Sequence, residues 1–116
     1  MVEDTKDVKD HMETNDETLL LVSGNRNWEG SGTSSKEYIK KLANAILQVY
    51  EKHDSVKMRC VGAGALNNAV KSFIIASEEF KKKEDAGELL LSPSFTTVDF
   101  NGDQKTGIVF EVIEML

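Results

Sequence analysis

A chain of 116 residues has room for one domain built on one hydrophobic core, and too little for two comfortable ones. Its apolar fraction of 40% is ordinary for a soluble globular protein, and its longest apolar runs are a few residues, which excludes a membrane-spanning helix. The net charge of −6 argues against a strongly basic nucleic-acid binder, but that charge is unevenly placed.

Residues 1–17 carry seven acids (Glu3, Asp4, Asp7, Asp10, Glu13, Asp16 and Glu17) against two lysines, a net −5. The other 99 residues hold 13 acids and 12 bases, a net −1. A segment so charged and so poor in large apolar side chains does not recover its ordering entropy, so 1–17 reads as a disordered acidic tail and 18–116 as the folded domain. Such a tail either keeps the protein soluble or mimics nucleic acid and covers a basic patch. It has no apolar stretch of the signal-peptide kind, and its acidity is unlike a transit sequence, so a cytoplasmic protein is expected, or a nuclear one in a eukaryote. The single Cys60 excludes an intrachain disulfide and fits a reducing compartment.

Thr18–Gly24 (TLLLVSG) is a short apolar run ending in turn residues, the pattern of a buried strand. The polar, glycine-rich stretch NRNWEGSGT that follows reads as a loop and carries Arg26 and Trp28. A helix is predicted from Ser34, because Ser34 and Glu37 have capping-box spacing. Ile39, Leu42, Ile46 and Val49 then recur at helical spacing, and His53 falls at the end, where a helix C-terminus favours its charged form. Ser55–Val61 alternates Val56, Met58 and Cys60 with Lys57 and Arg59, a half-buried strand with Cys60 inward, as a small core residue rather than a nucleophile.

A second helix is predicted from about Ala65 to Phe80. At 100° per residue its core face gathers Leu66, Ala69, Val70, Phe73, Ser77 and Phe80, with Asn67, Asn68, Lys71, Glu78 and Glu79 toward solvent. Ile75 falls among those polar residues, beside Ile74, and the pair is a candidate subunit contact. Glu88–Phe100 reads as a strand that Pro93 interrupts, so it should be an edge or carry a bulge. Asn101-Gly102-Asp103 signals a hairpin turn, and Lys105–Met115 a last antiparallel strand. The order β-α-β-α-β-β predicts an α/β fold of the α+β two-layer sandwich kind, with a mixed four-stranded sheet and two helices. Its first βαβ unit should be parallel.

Between the second strand and second helix stands CVGAGALNNAVKSF, with Gly62 and Gly64 at the junction. A dinucleotide fingerprint needs a third glycine where Asn67 stands, and an acid about 20 positions on at the end of a strand. Glu84 and Asp85 fall in a charged turn instead, and no Gly-Lys-Ser/Thr makes a phosphate loop. What remains is either a helix N-terminus that offers amides to an anion or a tight turn that only glycine permits. Two histidines and one cysteine make no metal-ligand spacing, and no nucleophile, base and acid stand in a catalytic order. No enzyme, cofactor or metal is expected.

GAGALNNAVKSF resembles the central segment of the stage V sporulation protein S family, in which a GAGALNQAVK-type stretch opens the second helix. LLLVSGN resembles that family's first strand, and SPSFTTVDFNGDQKTGIVFEVI its closing hairpin, so the resemblance covers roughly residues 19–115. It implies an Alba-like domain, similar also to the C-terminal domain of bacterial initiation factor three. The acidic tail departs from the compact family pattern, and NRNWEGSGT enlarges the first strand-to-helix connection. In Alba that connection resembles a lysine-bearing phosphate contact, whereas here Arg26 is its one basic residue.

The resemblance implies a regulatory protein without enzymatic activity that binds DNA or RNA weakly. Arg26 and Trp28 would contact phosphate and stack on a base. Gly62, Gly64, Asn67, Asn68 and Lys71 would present amides and one charge at a helix start, with Lys57 and Arg59 adding to a basic strip. The competing expectation is a protein-interaction or scaffold module using Ile74, Ile75 and a strand edge. Either would suit a homodimer or higher homo-oligomer.

Overall fold

The computed structural model describes residues 16–24 and 35–116. Six elements follow in chain order: β1 (Leu19–Val22), α1 (Ser35–His53), β2 (Lys57–Cys60), α2 (Ala63–Phe80), β3 (Glu88–Phe100) and β4 (Asp103–Met115). The strands make one mixed sheet in the order β1-β2-β4-β3, with β1 parallel to β2 and the other pairings antiparallel. This is the expected β-α-β-α-β-β order, in a two-layer α+β sandwich. Ser34, the expected cap of α1, lies outside the described residues, as do residues 1–15 of the acidic tail.

The core forms where the strand and helix periodicities meet. In β2 the alternation buries Met58 and Cys60 and leaves Lys57 and Arg59 half-exposed on the other face. Met58, Cys60, Leu89, Phe110 and Val112 from the sheet join Leu42, Ala43, Ile46 and Tyr50 from α1 in one cluster. Each of the larger ones, Leu42, Ile46, Met58, Leu89, Phe110 and Val112, contributes about 1.5–3 kcal/mol by leaving water. Burial pushes the Cys60 thiol up to about 12, so at neutral pH it is a packed, protonated side chain rather than a nucleophile.

One polar tie closes the far end of the core. The Tyr50 hydroxyl donates to Glu114 Oε1 at 2.9 Å, and Gly87 N–H donates to Glu114 Oε2 at 3.0 Å. Burial, then the Glu114 carboxylate, push the Tyr50 phenol up to about 12. The Tyr50 ring also meets Phe80 edge-on, with centroids 5.8 Å apart. Glu114 was not singled out in the sequence, yet it joins the last strand to α1 and to the connection before β3.

Pro93 does not interrupt β3. All thirteen residues from Glu88 to Phe100 pair in unbroken register with β4, and β3 is the edge of the sheet. The reason lies in the alternation of antiparallel pairs. The two-residue turn has φ 55° at Asn101 and 85° at Gly102, so Phe100 and Asp103 close it as a hydrogen-bonded pair. Counting back by twos, Pro93 and Phe110 form a non-hydrogen-bonded pair, so the donor that proline lacks would have pointed outward. The bond from Val112 N–H to the Val56 carbonyl fixes the same alternation from the other side of β4.

Candidate functional site

The end of β1 and the start of α2 meet at one corner of the fold. Ser23, just past β1, is held by a side chain from each helix: its N–H donates to the Tyr38 hydroxyl at 2.9 Å, and its carbonyl accepts from Asn68 Nδ2 at 2.9 Å. A Cβ added to Gly24 would lie 3.6 Å from the Ala65 nitrogen and 3.9 Å from Gly64. Gly24, the last described residue before the stretch that carries Arg26 and Trp28, therefore lies against the first turn of α2. Arg26 and Trp28 themselves lie outside the described residues.

The first turn of α2 lacks a side-chain cap. Its N-cap, Gly62, has φ 95° and ψ 160° and makes no side-chain cap, and the first helical bond runs from Leu66 N–H to the Gly62 carbonyl. The amides of Ala63, Gly64 and Ala65 precede that bond, and no cap side chain bonds them. A Cβ on Gly62 would meet nothing within 4 Å, so glycine is needed there for its backbone angles and not for space. Gly62 thus makes the tight turn, and the turn leaves Gly62, Ala63 and Gly64 exposed at the positive end of the helix. Asn67 and Lys71, three and seven residues beyond Gly64, are exposed as well and fall on the same stripe.

Asn68 does not share that stripe. It is fully buried, as is Ser72, whose hydroxyl donates to the Ile39 carbonyl at 3.1 Å. The expected solvent-facing Asn68 is corrected: its amide is committed to Ser23, and it has no surface to offer a nucleic acid. The buried flank of α2 is Ala65, Asn68, Ala69, Ser72, Ala76 and Phe80, which turns Val70 outward to 36% exposure instead of into the core. Small residues let the backbones of α1 and α2 approach closely enough for Ser72 to reach a main-chain carbonyl. Ile74 and Ile75 are exposed by 49% and 40%, close to the expected subunit-contact position.

Lys57 and Arg59 sit on the face of the sheet away from the helices, so they do not form one strip with Gly64, Asn67 and Lys71. Lys57 Nζ is 2.9 Å from Asp16 Oδ2. Hydrogen bonds from Thr18 and Lys57 hold the Asp16 carboxyl down at about 2. Glu17 approaches His53 at the end of α1, with 3.5 Å between Oε1 and Nε2. The last two residues of the expected tail therefore lie against the domain.

Among the described residues no three of His, Cys, Asp and Glu gather as a metal site, and no helix is long and apolar enough to cross a membrane. Compared with known protein families, the chain matches the one described as Stage V sporulation protein S over residues 32–115.

Proposed function

The chain belongs to the stage V sporulation protein S family, a family of sporulation-related regulators, and from that premise we propose that it acts as a non-enzymatic regulator that binds DNA or RNA weakly through phosphate contacts. The observation that carries this reading is the uncapped start of α2, with exposed Gly62, Ala63 and Gly64 in line with Asn67 and Lys71. A phosphate there gains about 0.3–1 kcal/mol from the helix dipole, and Lys71 adds one neutralised charge. Arg26 and Trp28 follow Gly24, which packs beside that first turn, and would add a further cation and a stacking ring. With so few cations, affinity is low and falls steeply with salt.

Binding of labelled single- and double-stranded DNA and RNA, to the full chain and to a chain beginning at Thr18, tests this. Salt-sensitive binding at low ionic strength is expected. Its absence with every probe and both chains would refute the reading. Binding gained on removal of residues 1–17 would assign the tail a masking role.

Val70, Ile74 and Ile75 favour a second reading, a protein-interaction or scaffold module. These three exposed apolar side chains share the outer flank of α2 with few charges between them. A protein partner would leave binding insensitive to Lys71 and sensitive to Ile75→Glu.

A further inference from the structure

We propose that the outer edge of β3 between Ser94 and Val98 is a strand-pairing site, and that its occupant is the same segment of a second copy of this chain. The alternation that seats Pro93 leaves the N–H and carbonyl groups of Phe95, Thr97 and Asp99 pointing away from β4. Among the described residues no strand pairs with that edge.

Edges of this kind are ordinarily blunted by a charge, a bulge or a short length. β3 is thirteen residues long and its register is unbroken. Ser94-Phe95-Thr96-Thr97-Val98 holds no charge, and Phe95 is 82% exposed. Pro93 on one side, lacking an outward donor, and Asp99 on the other bound the usable edge at five residues. The opposite edge, β1, is only four residues long.

A second copy fits this edge with two-fold symmetry. In an antiparallel pairing centred on Thr96, Phe95 of each copy faces Thr97 of the other, and both offer outward backbone groups. Four main-chain hydrogen bonds follow, with an aromatic side chain set against a β-branched one, a favourable cross-strand pair. Thr96 faces Thr96, and Ser94 faces Val98. Each chain carries a net −6, yet no like charges oppose one another within the paired segment. The two four-stranded sheets become one eight-stranded sheet, which leaves no β3 edge free to propagate.

Sedimentation equilibrium of the full chain tests the pairing. The wild-type protein is expected to be a dimer. Thr97→Pro deletes one outward donor and no bond to β4, as Pro93 already does, so it is expected to be a monomer with an unchanged circular dichroism spectrum. Phe95→Lys alters an exposed side chain and charges the edge, and it decides the matter should the proline variant fail to fold. Oxidised Thr96→Cys is expected to give a disulfide-linked dimer, because non-hydrogen-bonded pairs bring Cβ atoms to about 4.5 Å. A monomeric wild type would overturn the proposal. So would a dimer that survives Phe95→Lys, and one that Ile75→Glu alone dissociates would place the interface on α2 instead.

Discussion

The two flanks of α2 depart from the usual arrangement of a helix. The inner flank buries the small or polar Ala65, Asn68, Ala69, Ser72 and Ala76 before it ends on Phe80, with Leu66 and Phe73 half-buried at its border, while the outer flank shows Val70, Ile74 and Ile75 to solvent. Small and polar residues are inside because α1 and the end of β1 come close enough to be hydrogen-bonded directly. Val70, Ile74 and Ile75 stand on the outside, between about a third and a half exposed. The inner flank therefore governs stability, and the outer flank and first turn govern what the domain meets. Substitutions should separate the two.

The largest effect is expected at Asn68. Asn68→Asp buries a carboxylate against the Ser23 carbonyl, costing about 3–5 kcal/mol at neutral pH. Burial raises the pKa of such a group, so its deficit should shrink as pH falls and the acid protonates, and then donates to Ser23. Urea denaturation at several pH values reads this directly. A pH-independent deficit would mean that the side chain had left the interior.

Gly62→Ala comes next, at about 1–3 kcal/mol, because a residue with a side chain is forced to φ 95° in open space. A D-alanine introduced there by synthesis should restore most of the loss, since the penalty is conformational. Ser72→Ala should cost about 1 kcal/mol, the net worth of its bond to the Ile39 carbonyl. On the outer flank, Ile75→Glu should leave the denaturation midpoint almost unchanged, within about 0.5 kcal/mol. A large loss there would erase the contrast between the flanks.

The smallest effect lies off the helix. The hydrogen bonds from Thr18, then the pairing with Lys57, hold Asp16 down at about 2 in the folded protein against 3.8 ordinarily, so their contribution is present above the higher value and is lost as pH falls toward the lower. The Asp16 and Lys57 side chains are both more than a third exposed, which limits Asp16→Asn to a loss of about 0.2–1 kcal/mol at pH 7, falling away in acid.

Local pattern was enough to read the order of elements, the parallel start and the closing hairpin. Apolar alternation and an Asn-Gly turn act over a few residues, and the structure has the same spans to within a few residues. The inner flank of α2 was not legible in that way. A helical wheel sorts Asn68 outward and Val70 inward by polarity. What decides their places is a carbonyl at Ser23 and another at Ile39, forty-five and thirty-three residues away in the chain. Glu114 was missed for the same reason, since its partners Tyr50 and Gly87 are distant in sequence. The glycine junction was half legible. Two glycines announce a sharp turn, but only the φ of Gly62 tells which one makes it, and that the helix beyond starts without a side-chain cap.

The measurement that bears most directly on nucleic-acid binding is the salt dependence of affinity for a labelled oligonucleotide, compared between wild type and Lys71→Glu. If the start of α2 holds phosphate, the variant binds more weakly, and its slope of log affinity against log salt is shallower by about 0.9 for duplex or 0.7 for single strands. Equal slopes and equal affinities would contradict the account and leave the apolar outer flank as the surface that matters.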